Sequence, residues 1–164
     1  MPQFELPLDT NQIRPVISLP KYSNIKVLID TGATIPVWVI DENILIKLFN
    51  ARDTGLTESF GGFGGCVQGK IYEIDLELGF LRFSKLKIIA SPLPKVGFHM
   101  IFSASMFKGL KYEIDNINNK FIVKMIAGDN SERKLNFVKE NGVWRTYILG
   151  DHVNSEANIS MNLF

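Results

Sequence analysis

The 164 residues carry 18 basic and 17 acidic side chains and a single cysteine, Cys66. Near-neutral charge without a Lys/Arg cluster argues against a nucleic-acid partner, and one thiol excludes an internal disulfide, as in a reducing compartment. No apolar run reaches the ~18–20 residues of a membrane span, and the opening MPQFELPLDT lacks a signal peptide's basic-then-apolar layout; a cytoplasmic protein with no membrane partner is expected. A chain this long buries about two-thirds of its unfolded surface, and one domain, residues 1–164, is expected.

In chain order the pattern is mainly β. Phe4–Leu8 and Ile13–Leu19 are short apolar runs, and Pro15 and Pro20 suit the second to a sheet edge. Ile25–Asp30 and Ile35–Ile40, rich in β-branched residues, read as central strands. Asp41–Asn50 reads as a short helix capped by Asp41, with Ile44, Leu45, Leu48 and Phe49 on one face. Ser59–Lys70 is a Gly-rich stretch, SFGGFGGCVQGK, between strand-like runs. Tyr72, Ile74, Leu76 and Leu78 then alternate with Glu73, Asp75 and Glu77, as in a half-solvated strand. The apolar run Phe98–Phe102 leads into a short helix expected from Ser103 to Leu110. Lys111–Asp115 and Lys120–Ile126 flank the turn Asn116–Asn119 as a hairpin. A turn at Gly128–Asn130 precedes a strand at Leu135–Val138, which Asn141-Gly142 joins to Val143–Leu149. The tail from Asp151 is polar until Met161-Asn162-Leu163-Phe164, and no internal repeat is visible.

The segment with the most chemistry is Ile25–Val39, IKVLIDTGATIPVWV, which sets Asp30-Thr31-Gly32 between two apolar runs. Packing does not explain a carboxylate there, because a buried, unpaired charge costs several kcal/mol. The Gly-rich stretch is the second signal: glycines at 61, 62, 64 and 65 around Phe63 make a hairpin tip whose backbone can approach a ligand closely. It lacks the phosphate-loop spacing of GxxxxGK followed by Ser or Thr, and no helix follows to aim at a phosphate.

Asp30-Thr31-Gly32-Ala33, the Gly61–Gly65 tip, and His99-Met100-Ile101-Phe102 before a short helix occur in one order. That order resembles the retroviral-type, retropepsin-like aspartic peptidases over about residues 4–126. The resemblance implies a mainly β fold: a closed acid-protease β-barrel with a flap hairpin, one or two short helices, and a β-rich extension over about 127–164. It also implies a catalytic Asp30, with Thr31 bracing the loop across a two-fold axis and Gly32 offering its carbonyl. Ala33, Gly61, Gly62, Phe63, Gly64 and Gly65 would bind substrate, in pockets made apolar by Ile35, Val37 and Phe63. Two departures stand out. Ser103 occupies the family's Gly position before the C-terminal helix, and Thr34 and Ala104 replace the Asp and Arg that pair in many retroviral members.

Asp53-Thr54-Gly55 is a second Asp-Thr-Gly, but it follows Asn50-Ala51-Arg52 and reads as a polar turn. It lies 23 positions (53 − 30) from Asp30, too close for a second lobe. Aspartic peptidase chemistry needs two carboxylates sharing a proton, so one Asp30 per chain requires a homodimer with the two Asp30 residues at the axis. The expected function is a homodimeric endopeptidase acting on extended polypeptides through an activated water. The alternative is a non-catalytic binding or adaptor module on the same fold, for which the Ser103-Ala104-Ser105 change and the extension speak; a plain β-barrel whose Asp-Thr-Gly only makes a turn is more remote.

Ala33, unlike Ser, cannot donate a hydrogen bond to the carboxylate, so activity is expected at mildly acidic to near-neutral pH. Cys66 reads as a small, partly buried side chain. His99 and His152 have no second ligand at metal spacing, so neither a metal nor a cofactor is expected. Trp38 and Trp144 fit core or interface packing, and Met161–Phe164 is a candidate interface strand.

Overall fold

The computed structural model describes residues 2–62, 65–91, 96–125, 131–149 and 159–162, of which 60–62, 65–67, 149 and 159–162 as backbone only. Thirteen strands and one α-helix make up these residues, with two 3-10 turns, at Pro20–Tyr22 and Ala104–Phe107. The fold is mainly β, as expected. The strands are β1 (Gln3–Pro7), β2 (Val16–Leu19), β3 (Ile25–Asp30), β4 (Val37–Trp38), β5 (Arg52–Gly62), β6 (Gly65–Leu78) and β7 (Leu81–Ala90). They continue with β8 (Met100–Ser103), β9 (Lys111–Asp115), β10 (Lys120–Lys124), β11 (Glu132–Glu140), β12 (Val143–Leu149) and β13 (Ile159–Asn162), and α1 spans Glu42–Phe49.

A small antiparallel sheet has the order β1-β10-β9. The larger sheet runs β13-β12-β11-β7-β4-β8-β3-β2, with β6 joined to β7 and β5 to β6. Every residue of β2 and β8 is buried, and β3 is buried except at Lys26 and Asp30, which is why these strands read as mostly apolar runs instead of alternating ones. β6 keeps the alternation seen in the sequence: Ile74, Leu76 and Leu78 are buried while Asp75 and Glu77 are exposed.

Helix α1 forms where expected. The Asp41 side chain accepts from the Asn43 N–H at 2.9 Å, satisfying a donor that the first turn leaves open, and Asn50 ends the helix in the left-handed region at φ 50°. Leu45 and Phe49 are its buried face. Phe49 stacks on Tyr22, centroids 4.5 Å apart, and meets Trp38 edge-on at 6.0 Å. Trp38 is fully buried, and its indole N–H donates to the Asp41 carbonyl at 3.0 Å, so the helix start is tied to the strand behind it.

Three expected elements are shorter. The run from Ile13 begins as a strand only at Val16, and Ile13 itself is exposed. Ile35–Ile40 contributes only Val37–Trp38 to the ladder, because β4 is wedged between β7 and β8 and pairs two residues with each. The helix expected over 103–110 is one 3-10 turn; the Lys108 N–H donates to Ser105 O at 3.3 Å, and Gly109 turns the chain away at φ +83°. One long strand, β7, has no counterpart in the sequence reading. The turn expected at 128–130 lies outside the described residues. β11 and β12 form the hairpin predicted around Asn141-Gly142, and β11 also adds parallel to β7 through Glu132↔Arg82 and Arg133↔Phe83. Leu135 and Phe137 enter the common core. No described helix is long and apolar enough to cross a membrane.

Candidate active site

Asp30 is the last residue of β3. That strand pairs antiparallel with β2 and parallel with β8, in the register Val27↔Met100, Leu28↔Ile101, Ile29↔Phe102 and Asp30↔Ser103. The apolar part of β3 anchors the strand in the sheet, and its polar end is delivered to the rim beside the end of β8. There the chain turns sharply. The Gly32 N–H donates to Asp30 Oδ1 at 2.9 Å and the Ala33 N–H to the Asp30 carbonyl at 3.1 Å. One carboxylate oxygen is therefore held by the loop's own backbone, while Oδ2 makes no hydrogen bond among the described residues. Asp30 is half-buried, so a single chain does not impose on it the full cost of a buried charge. Thr31 and Gly32 are exposed and Ala33 is half-buried. A Cβ on Gly32 would sit at ordinary contact distance, 3.4 Å, from Asp30 Oδ1, so steric room within one chain does not demand glycine there.

Ser103, in register with Asp30, is fully buried, and its hydroxyl is 2.5 Å from that of Ser105. A buried hydroxyl without a partner would cost about 1–3 kcal/mol; pairing the two serines removes that cost. Sequence reasoning singled out Ser103 as a departure but did not find Ser105 as its partner.

The hairpin expected over the site is present as β5 and β6. Its arms pair through Ser59↔Gln68, Phe60↔Val67, Gly61↔Cys66 and Gly62↔Gly65. Phe63 and Gly64, expected at the tip, lie outside the described residues. The second Asp-Thr-Gly is not a loop after the helix: it lies within β5, where the register shifts between Asp53 and Thr57. Asp53 Oδ1 accepts from the Gly55 N–H at 2.8 Å, Gly55 has φ +76°, and the Thr54 hydroxyl donates to Ile71 O at 2.7 Å. The sequence is still a turn former, but the turn is a bulge that bends a strand.

Gly69, on the opposite arm, escaped the sequence reading. A Cβ there would lie 2.4 Å from an Ile89 methyl and 2.7 Å from the Ala90 carbonyl oxygen, so β6 can approach β7 this closely only with glycine. Ile35 and Val37, expected to give an apolar pocket, are both 4 % exposed; Ile35 also lines a cleft beside the hairpin.

His99 ties the site strands together. Its Nδ1 accepts from the Lys26 N–H at 2.8 Å, its N–H donates to Lys26 O at 2.9 Å, and its carbonyl accepts from the Val39 N–H at 2.9 Å. Burial, and secondarily the Lys26 ammonium, holds its pKa below the ordinary histidine value. Since Nδ1 is an acceptor, the neutral ring carries its proton on Nε2. Among the described residues no group of three or more His, Cys, Asp or Glu side chains could hold a metal ion. His152 lies outside them.

No protein-family model and no curated protein matches the chain. Among solved structures, the chain is similar to a retropepsin-like aspartic protease from Rickettsia conorii, at 14% identity and a TM-score of 0.47, over 74% of this chain and 89% of that one.

Proposed function

We propose that the chain is one half of an aspartic endopeptidase, in which two copies bring their Asp30 residues together to hydrolyse a peptide bond in an extended polypeptide. The observation that carries this reading is the Asp30 loop. Its carboxylate stands at the rim where parallel β3 and β8 end, with Oδ1 held by the Gly32 N–H and Oδ2 left open. Two such carboxylates at close range share one proton, since like charges there cannot both ionise.

The ionised Asp30 takes a proton from a water, whose oxygen attacks the scissile carbonyl carbon. The protonated Asp30 gives its proton to the carbonyl oxygen, forming a tetrahedral diol. The carboxyl group that took the water proton then gives it to the amide nitrogen, a diol hydroxyl gives its proton to the other carboxylate, and the C–N bond breaks to release an amine and a carboxylic acid with the dyad again singly protonated. Thr31, exposed in the single chain, braces the partner loop across the two-fold axis in this reading. The β5–β6 hairpin, whose arms run to Gly62 and from Gly65, covers the extended substrate, excludes water and offers backbone hydrogen bonds.

The test compares wild type with Asp30→Asn on a diverse peptide library, with and without pepstatin, alongside sedimentation. Cleavage by wild type alone, blocked by pepstatin, supports the peptidase. A folded dimer that cleaves nothing rejects it in favour of the binding module, and a chain that stays monomeric at high concentration rejects it before any assay.

A further inference from the structure

The cleft that Ile35 lines lies at the base of the β5–β6 hairpin, away from its tip, where the C-terminal hairpin of β11 and β12 contributes Asn136–Lys139 and Trp144. The cleft encloses about 340 Å³ and is walled by Ile35, Leu56, Ile71, Ile89 and Trp144, with Lys87 at its side. That volume lies within the range of small-ligand sites, roughly 300–1,000 Å³. Ile35 is only five residues beyond Asp30, and Leu56 is on the strand that runs to Gly61-Gly62, so the cleft's lining continues the two chain segments that carry Asp30 and the arm of the hairpin.

Three observations define its guest. Leu56 is 59% exposed, and with half-buried Trp144 it offers apolar surface that the core does not use. Trp144 is held in place: Lys139 Nζ lies 5.9 Å from its ring centroid and 3.2 Å from Glu58 Oε1. Lys87, half-buried at the side of the cleft, has no carboxylate partner among the described residues, while the other two charged groups of the lining, Lys139 and Glu58, pair with each other; the unmatched positive charge favours a guest that brings an anion. The walls also suit an extended chain. β5 pairs only with β6, and β11 pairs with β7 only through Glu132 and Arg133, so each has an unpaired ladder edge among the described residues along the stretch that lines the cleft. Unpaired edges accept an added strand.

We propose that this cleft is a distal subsite that takes an aromatic or large aliphatic side chain of an extended peptide, with an acidic residue next to it facing Lys87. The proposal rests on the reading of the chain as a peptide-binding hydrolase and assigns to the C-terminal hairpin a part in choosing the peptide.

The probes are acetyl-Asp-Phe-Val-amide and acetyl-Lys-Phe-Val-amide, titrated into full-length Asp30→Asn protein. The readout is the Trp144 indole N–H in amide correlation spectra, assigned by loss of that signal in Trp144→Phe. The acidic probe is expected to move the signal and to bind about tenfold more tightly than the basic one. Lys87→Glu is expected to reverse that order, a result that loss of folding cannot mimic. An unmoved indole signal, or equal binding of the two probes, overturns the subsite. In parallel, wild type is given the peptide library. If it cleaves nothing while the acidic probe still moves Trp144, the hydrolase reading fails and the site stands. If it cleaves peptides while Trp144 stays still, the subsite fails and the hydrolase stands.

Discussion

Gly69→Ala tests how β6 is mounted on β7. The new methyl would lie 2.4 Å from Ile89 Cγ2 and 2.7 Å from the Ala90 carbonyl oxygen. An Ile methyl can rotate or shift, but the carbonyl belongs to β7, where Ala90 pairs with Lys70 and Ile89 with Ile71. Relief therefore requires β6 and β7 to separate, and overpacking of this kind costs about 1–3 kcal/mol. With a urea m-value of about 2 kcal/mol/M, the unfolding midpoint should fall by ~0.5–1.5 M at fixed protomer concentration. Gly55→Ala is the control. No atom lies within 4 Å of its added Cβ, but φ is +76°, so its cost of about 1–2 kcal/mol is conformational. Asn tolerates that region, so Gly55→Asn should recover most of the loss at 55, whereas Gly69→Asn should be no better than Gly69→Ala. An unchanged midpoint for Gly69→Ala, or recovery by Asn at 69, refutes the steric account.

Four further outcomes are expected. His99 is held neutral in the fold, so the unfolded chain takes its proton first and stability falls as pH drops below about 6.5; urea midpoints across pH should show this slope, reduced in His99→Gln, which keeps an acceptor for the Lys26 N–H. Tyr72 is pushed up to about 12 by burial and by donating to Glu42 Oε2 at 2.7 Å. Its contribution is therefore present below the unfolded value of about 10 and is lost as pH rises toward 12, so a phenolate absorbance titration should lose one late step in Tyr72→Phe. Asp41→Ala removes the cap of α1 and should cost about 1 kcal/mol, read as a melting-temperature drop of roughly 2–4 °C. Lys139→Ala breaks an exposed pair with Glu58 worth at most about 1 kcal/mol, so global stability should barely change while amide exchange in 56–58 quickens.

Much of the architecture was legible because local chemistry agreed with the fold. Ile25–Asp30 and Val143–Leu149 are strands with the expected limits, and Asp41 caps the expected helix. The errors arise where tertiary context decides. Leu81–Ala90 mixes Arg, Ser and Lys into an apolar run, and it becomes a strand because β6, β4 and β11 all pair with it. Asp53-Thr54-Gly55 reads locally as a turn, and pairing with β6 before and after it turns it into a bulge. At the site, the sequence located Asp30 and its turn through apolar flanks. The contact of Ser103 with Ser105, and the lack of space at Gly69, depend on strands distant in the chain and have no local signature.

The pairing that sets Asp30 beside Ser103 spans 73 positions (103 − 30), whereas β9 and β10 meet across a four-residue turn, Asn116–Asn119. Closing the longer loop costs roughly 2.5 kcal/mol more by the logarithmic length law, so the hairpin should form early and the Asp30 rim late. The chain thus matures in a definite order: scaffold first, the Asp30 corner last. Pulsed amide labelling during refolding should protect Tyr112–Ile114 before Leu28–Asp30. A nascent copy would not set Asp30 beside β8 until residues beyond 103 have been made.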